Sequence, residues 1–200
     1  MRAGKGLAGI LLRDGIISQD EVEIVEYGLE NLGSSLLGMS VTLMIGYCFD
    51  FLLGSFMLWL LVFPLRKNAG GYHAETKARC LLFSSAILLL SILCFQQMKW
   101  SETVYILVTV FSFLIVFIMA PIGNDNKHLD QAECKVYRRR TRMILLLEMG
   151  LFVAALTFRW KMLIVVVTMA FFIVGVSLVA GRIKLQMHKR VVSSMGNMAE

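Results

Sequence analysis

The sequence predicts an all-α, polytopic membrane protein with about six transmembrane helices and an N-terminal amphipathic helix. Of its 200 residues, 58% are hydrophobic and only 17% are charged. Mean hydropathy is +0.72, far above that of an average soluble domain. This composition excludes an ordinary cytosolic enzyme and a disordered regulator. The net charge of +6 is not taken as a sign of nucleic-acid binding, because on a membrane protein it reports orientation and attraction to anionic headgroups.

The leading segment, residues 1–31, is predicted to be an amphipathic surface helix. Ser18 followed by Glu21 makes a capping box, which marks a helix start. No cleavable signal is expected, because the apolar run after Lys5 is broken at Arg13. A simple membrane-entry helix is the alternative reading of this segment. After the capping box, apolar residues recur at helical spacing on one face of the predicted helix and acidic residues lie on the other. The apolar residues are Val22, Val25, Leu29 and Leu32, and the acidic ones are Glu23, Glu26 and Glu30.

Residues 32–200 form the predicted transmembrane domain. Each long uncharged stretch there is close to the ~20 residues that a helix needs to cross a bilayer. Continuous apolar runs indicate helices rather than barrel strands. The first stretch is too long for one ordinary span, so a hairpin turning at Asp50 is predicted, as two short spans or a re-entrant pair; one long tilted helix is the alternative. The stretches are residues 32–65, 81–98, 103–120, 143–158 and 162–181.

The distribution of positive charge predicts the orientation of these spans. Lysines and arginines cluster after the first, third and last stretches, and such clusters stay in the cytoplasm. The loops 66–80 and 123–142 and both termini are therefore predicted to be cytoplasmic. The short connections 99–102 and 159–161 carry few charges and are predicted to be outer turns. An N-terminus inside then requires an even number of crossings before residue 66.

The segment 66–80 carries the residues whose side chains suit catalysis. Gly70 and Gly71 break a helix and allow close backbone approach. His73 follows them, and Cys80 lies at the edge of the next span. A thiol beside positive charge favours the thiolate, for which a histidine serves as base. The alternative is a surface histidine and a buried cysteine without a shared role.

Helical geometry limits how His73 and Cys80 can meet. Seven residues correspond to ~10.5 Å along an unbroken helix, and a helical His73 would lean away from Cys80. A catalytic pair therefore predicts that His73 lies on irregular chain after Gly71, folded back toward Cys80. A zinc site that adds His128 and Cys134 is a weaker alternative, because the close ligand pairs of structural zinc sites are absent from the sequence.

Other polar groups are candidates for supporting roles. Glu148, one turn inside a span, is expected to face the bundle interior with an arginine as its partner. The oxyanion is expected to be stabilised by Arg66 or by backbone N–H groups around the glycine pair. Glu75, Asn68 and Gln96 are unranked candidates for a third catalytic residue. A basic run is either a topology anchor or a docking surface for an acidic ligand: Lys135, Arg138, Arg139, Arg140 and Arg142.

In these motifs the chain resembles the accessory gene regulator B (AgrB) family of bacterial membrane cysteine endopeptidases. The resemblance rests on Arg66, the Gly70-Gly71 pair, His73 and Cys80 at this spacing. Supporting matches are Ala120-Pro121, Asn126-Lys127 and Glu26-Tyr27-Gly28; His128 stands where the family pattern would have proline.

The resemblance implies a function in peptide quorum sensing. Cys80 would be the nucleophile and His73 its base, with Arg66, Gly70, Gly71 and Glu75 in support. The substrate would be a short propeptide with an amphipathic leader and an acidic C-terminal tail, which the basic run would bind. The enzyme would remove the tail and promote closure of a thiolactone or lactone ring. No cofactor or metal is expected; the partners would be the propeptide, membrane lipid and a second copy of the chain. A non-enzymatic peptide exporter or channel component is the alternative, although the spans carry few charges.

Overall fold

The computed structural model describes residues 2–72, 76–98, 100–122 and 131–196. Within these residues the regular secondary structure is helical, which confirms the all-α prediction. A 3-10 turn, Gln19–Glu21, precedes α2, and a π-helical turn, Ile92–Gln97, continues α4. The seven α-helices are α1 (Arg2–Arg13), α2 (Val22–Cys48), α3 (Leu52–Ala69), α4 (Lys77–Ser91), α5 (Glu102–Met119), α6 (Gln131–Thr157) and α7 (Lys161–Gly196).

Helices α2 and α3 form the hairpin that the sequence predicts at Asp50. Asp50 adopts a left-handed conformation with φ of 53°, and the Phe51 N–H donates to the Gly46 carbonyl at 2.7 Å. Gly46 lies directly against the Ser55 side chain, so its missing side chain lets the two helices approach closely. One long helix over residues 32–65 is therefore excluded.

No helix begins or ends at the predicted boundary between residues 31 and 32. The leading segment consists of α1 and the first part of α2, and α2 runs through the boundary without interruption. The predicted capping box forms just before α2, where the Ser18 N–H donates to Glu21 Oε2 at 2.9 Å. These hydrogen bonds, from the backbone and then the hydroxyl of Ser18, lower the pKa of Glu21.

Helix α7 is the centre of the bundle. Its fully buried side chains lie between residues 166 and 178, and α3, α5 and α6 pack around it. Thr109 of α5 and Thr168 of α7 share a buried hydrogen bond of 2.8 Å. The buried α7 residues include Val166, Val167, Met169, Ala170, Phe171, Val174 and Leu178.

Among the described residues, three segments are long and apolar enough to cross a membrane: Ala78–Phe95, Glu102–Met119 and Lys161–Met187. They confirm a helical membrane protein. An 18-residue helix such as α5 spans about 27 Å, close to the hydrocarbon thickness of a bilayer. The prediction of six crossings requires α2, α3 and α6 to cross as well, and it stays a prediction.

The basic clusters of the sequence lie at one end of the bundle. Lys67 near the end of α3 shares a pocket with Arg140 near the start of α6. Gly70, after α3, pairs with Ile122, after α5, and the Tyr72 N–H donates to the Ser177 carbonyl of α7. These contacts join the C-terminal ends of α3 and α5 to the first half of α6 and the middle of α7, a region that we call the basic end.

The loop predicted over residues 123–142 is largely helical in its second half. Helix α6 begins at Gln131, so the basic run lies on the first turns of a helix and not on a loop; residues 123–130 lie outside the described part. The basic run is compatible with a helix because arginine and lysine are good helix formers. Helix α7 likewise continues past the predicted end at residue 181.

Candidate functional site

The glycine pair after α3 forms a cradle of close backbone contacts. Gly70 has φ of 78° and Gly71 has φ of 135°, conformations that other residues rarely adopt. A Cβ on Gly70 would lie on the Ile122 carbonyl, and a Cβ on Gly71 would lie 2.6 Å from Ser177 Oγ. The predicted roles of this pair, to end the helix and allow close approach, are confirmed.

Helix α7 holds the other side of this cradle through a small residue. A Cβ on Gly181 would lie 2.8 Å from the carbonyl carbon of Gly71 and 2.9 Å from the Tyr72 nitrogen. The Tyr72 N–H donates to the Ser177 carbonyl at 2.8 Å and to Ser177 Oγ at 3.3 Å. The chain that leads to His73 is thereby fixed onto α7.

Arg66 connects this cradle to the helix that carries Cys80. Its Nη2 donates to the Tyr72 carbonyl at 3.3 Å, and its Nη1 donates to Ser84 Oγ at 3.1 Å. Ser84 lies four residues after Cys80, on the same helix face. Burial lowers the pKa of Arg66, and the negative charge of a Cys80 thiolate opposes that effect. The two side chains are therefore electrostatic neighbours.

Cys80 lies near the start of α4 in a half-buried position. The Thr76 side chain accepts the Arg79 N–H at 3.3 Å, and the Thr76 carbonyl accepts the Cys80 N–H at 3.1 Å. Cys80 therefore lies in the first turn of a capped helix, one turn before the Ser84 hydroxyl that Arg66 contacts. Of the other thiols, Cys48 and Cys94 are exposed on apolar helices, and Cys134 is half-buried on α6.

His73 and Glu75 lie outside the described residues, so their predicted roles stay predictions. The residues on either side are described, and they agree with the predicted break in the helix. Tyr72 is bonded to α7, and α4 begins only at Lys77. The carbonyl of the peptide that joins Tyr72 to His73 accepts a hydrogen bond from Arg66, the same group that lies beside Cys80.

The candidates for the oxyanion role are narrowed by existing hydrogen bonds. The Gly70 N–H already donates to the Arg66 carbonyl at 3.0 Å, and the Tyr72 N–H is engaged by Ser177. A donor that is already bonded is poorly placed to receive a new negative charge. Arg66 also donates twice, to Tyr72 and Ser84, but its guanidinium carries five N–H groups and so keeps donors that these two bonds do not use.

The predicted third catalytic residue is not identified by the geometry. Asn68 Nδ2 donates to the Pro64 carbonyl at 2.8 Å, and Asn68 lines the pocket toward α6 instead of facing α4. The side chain of Gln96, like Glu75, lies outside the described part. Asn68 thus acts in helix α3, where it satisfies a backbone carbonyl one turn away.

The basic run divides between two faces of α6. Lys135, Arg138, Arg139 and Arg142 recur at helical spacing on one face, and all four are exposed. The guanidinium of Arg142 lies 4.4 Å from the centre of the Phe117 ring, a cation–π contact with α5. Arg140 points to the other side and lines the pocket with Lys67. The run is therefore not one uniform surface.

Glu148 faces the bundle interior as predicted, and only 1% of it is exposed. Its expected arginine partner is absent from the described residues, where neither carboxylate oxygen has a hydrogen bond. An unpaired charge is costly in such a place. Among the described residues, no group of three metal-binding side chains occurs; both histidines of the alternative zinc site lie outside that part.

Sequence reasoning missed the residues that hold the cradle. Ser177 and Gly181 have the small-xxx-small spacing that allows close helix approach in membranes, and this spacing was a usable signal. Ser84, four residues after Cys80, was a weaker one. The pairing of Gly70 with Ile122 joins residues far apart in sequence, and no local pattern indicates it.

The fold and site define a helical membrane protein with a cysteine, a half-buried arginine and a glycine cradle at one end of the bundle. The chain belongs to the AgrB family: the model of Accessory gene regulator B matches residues 5–181. This ties the chain to the accessory gene regulator system, and the family is known for peptide processing.

Two relatives in Clostridium perfringens are similar to most of the chain. They are AgrB-like protein 2 of strain 13 and an AgrB-like protein of strain SM101, each 29% identical over 142 residues. Each match covers 68% of this chain and 66% of the relative, so the chain spans just under two thirds of their length. No solved structure matches the chain.

Proposed function

We propose that this chain is a membrane cysteine endopeptidase that removes the C-terminal tail of a quorum-sensing propeptide and promotes cyclisation of the remainder. The observation that carries the proposal is the position of Arg66. It bonds Ser84, one turn after Cys80 on the same helix, and the peptide carbonyl that leads to His73. Family membership supports a role in the accessory gene regulator system, and the cradle fixes the backbone on one side of the site.

In the proposed first step, the Cys80 thiolate attacks the scissile carbonyl of the propeptide. The carbonyl oxygen becomes an oxyanion, for which the Arg66 guanidinium is the available donor. His73 holds the proton of the thiol and gives it to the leaving amine as the C–N bond breaks. The tail departs with a new N-terminus, and an acyl thioester remains on Cys80.

In the second step, a thiol or hydroxyl of the substrate attacks the thioester. His73, neutral after the first step, takes the proton of this thiol or hydroxyl. The new thioester or ester closes the ring, and the Cys80 sulfur leaves as a thiolate. Two features favour this step over hydrolysis. A site at the lipid boundary excludes water, and a nucleophile on the bound substrate has a high effective concentration.

The proposed tail-binding surface is the exposed face of α6. Its cations, Lys135, Arg138, Arg139 and Arg142, lie along one face at the basic end, where α3 and α4 also meet through Arg66. Attraction between exposed charges speeds encounter with an acidic tail and is screened by salt. Arg140, which the sequence groups with them, lies apart in the pocket.

The proposed location is a bacterial cell membrane, with the basic end, the site and both termini in the cytoplasm. Positive clusters remain on the cytoplasmic side during insertion, and the described clusters gather at one end of this bundle. The propeptide would then be processed on the side where it is synthesised.

The proposed function is tested with the full chain in liposomes and the propeptide encoded beside it. Mass spectrometry should detect an acyl adduct on Cys80, and Cys80→Ser should abolish release of the tail. Cys134→Ser and Cys94→Ser are the matched controls and should retain cleavage. Equal loss on Cys134→Ser, or cleavage by Cys80→Ser, would contradict the proposal.

The tail-binding surface has its own test. Arg138→Gln with Arg139→Gln should raise KM several-fold with little change in kcat, because uniform binding is lost. The effect should shrink as salt rises. Replacing the acidic tail of the propeptide with a neutral one should reduce processing by this variant only slightly further. If the loss caused by the double Gln variant and the loss caused by the neutral tail simply add, the tail is recognised elsewhere.

A further inference from the structure

An open pocket of about 360 Å³ lies between the ends of α3 and α6. Its described lining combines two cations, an amide, a phenol and two apolar side chains, and includes no acid: Lys67, Asn68, Tyr137, Arg140, Met143 and Ile144. Two positive charges around one pocket, with polar donors between them, favour a bound anion.

The pocket is separate from the cysteine site. Arg66 and Lys67 are consecutive, so their side chains leave α3 about 100° apart. Arg66 bonds Ser84 on α4, whereas Lys67 and Asn68 line the pocket against α6. The anion that this pocket receives is therefore not the oxyanion of the proposed reaction.

Exposed apolar side chains continue from the pocket along both helices. On α6, Met143 and Leu147 follow Arg140 at helical spacing and are 62% and 72% exposed. On α3, Leu60 and Phe63 precede Lys67 at helical spacing and are also exposed. Cations at a helix end above apolar side chains match the order of headgroup and acyl chain in a phospholipid.

We propose that this pocket binds the phosphate headgroup of an anionic phospholipid, whose acyl chains lie along the exposed faces of α3 and α6. Lys67 and Arg140 contact the phosphate from opposite helices, and Asn68 and Tyr137 contact the polar part of the headgroup. The lipid joins α3, which carries Arg66, to α6, which carries the tail-binding face. An acidic peptide tail offers similar charge but carries no acyl chains that would cover the apolar faces.

Native mass spectrometry of the full chain, titrated with phosphatidylglycerol or phosphatidylcholine of equal chain length, tests the proposal. Phosphatidylglycerol should bind at least tenfold more tightly. Lys67→Gln with Arg140→Gln should weaken that binding roughly 30-fold, since each headgroup contact contributes about a factor of five. The matched control, Arg138→Gln with Arg139→Gln, removes equal charge from the other face and should change binding less than threefold.

Several outcomes would overturn the proposal. They are equal affinity for the two lipids, equal loss in the two double variants, and displacement of phosphatidylglycerol by an acidic peptide or by inorganic phosphate. If the pocket double variant fails to fold, Met143→Trp decides. It fills the pocket while keeping both charges, and it should weaken phosphatidylglycerol binding about tenfold; unchanged binding would exclude the site.

Discussion

The guanidinium of Arg66 brings a positive charge to a half-buried position beside a thiol, where water screens it little. Two unit charges ~4 Å apart interact by ~1 kcal/mol in water but ~4 kcal/mol at the effective dielectric near a protein surface. Arg66 also bonds Tyr72 and Ser84, which fixes its position before substrate arrives. Such preorganisation makes it a better source of stabilisation than the exposed Arg79 on the same side of the site.

Substitution of Arg66 tests this difference between buried and exposed charge. Arg66→Gln should lower kcat for tail release about 100-fold, the usual cost of a lost oxyanion donor, and should slow alkylation of Cys80. Arg66→Lys should recover only part of the activity, since one ammonium cannot reproduce the two fixed contacts. Arg79→Gln is the control and should change kcat less than threefold. Equal effects of the two Gln variants would show that only local net charge matters.

Gly181 offers a second residue-level test, because it permits α7 to contact the backbone at Gly71. Gly181→Ala should destabilise the protein by about 1–3 kcal/mol through overpacking, and it should displace the chain that leads to His73. Tail release should therefore fall together with thermal stability. The control is Gly150→Ala on α6, where a Cβ would meet nothing within 4 Å. Alanine there should be neutral or stabilising, since it favours a helix; a tolerated Gly181→Ala would contradict the cradle.

Individual residues of the site were predictable where local chemistry indicates them. Gly70, Gly71, Arg66 and Cys80 were found from composition and spacing in a short segment. Ser84 and Ser177 were missed because their importance comes from helices that pack beside that segment. The arginine expected beside Glu148 is not found among the residues that the structure describes, because charge pairing inside a bundle depends on tertiary contacts.

In the described part of the chain the helices follow the predicted order, but their ends were not predicted. The hairpin at Asp50 and helix α5 match the sequence, since turn and hydropathy signals are local. Helices α2, α6 and α7 extend beyond their apolar stretches, because hydropathy reports contact with lipid and not helix length. The basic run was assigned to a loop for that reason, although arginines continue a helix readily.

The contact between α5 and α7 depends in part on one buried polar pair. Thr109 and Thr168 are both fully buried and share a hydrogen bond. Single substitutions Thr109→Val and Thr168→Val should each destabilise the bundle, and the double variant should lose less than their sum. Double-mutant cycles give about 0.6 kcal/mol for such pairs in membranes, and up to about 1.7. Unfolding in detergent measures the coupling; strictly additive losses would show that the pair does not contribute.

At the scale of the whole molecule, positive charges gather at one end of the helix bundle, which is why their distribution predicts membrane topology. At the basic end, residues 67 and 140 line one pocket, and Tyr72 bonds Ser177 of α7. If this end is cytoplasmic, α3 must begin on the opposite side or within the membrane. The number of crossings then depends on whether α2 and α3 both pass through the bilayer.

Cysteine labelling of a cysteine-free variant determines that number. Four exposed positions are suitable: Tyr47 beside the α2–α3 turn, Lys67 at the basic end, and Ser101 and Arg159 in the short connections. With six crossings, cysteines at 47, 101 and 159 should react with an impermeant reagent in intact cells, because their connections face outward. A cysteine at 67 should react only after permeabilisation. Labelling of 101 and 159 without 47 would make α2 and α3 a re-entrant hairpin and reduce the count to four, and labelling of 67 in intact cells would reverse the orientation of the site.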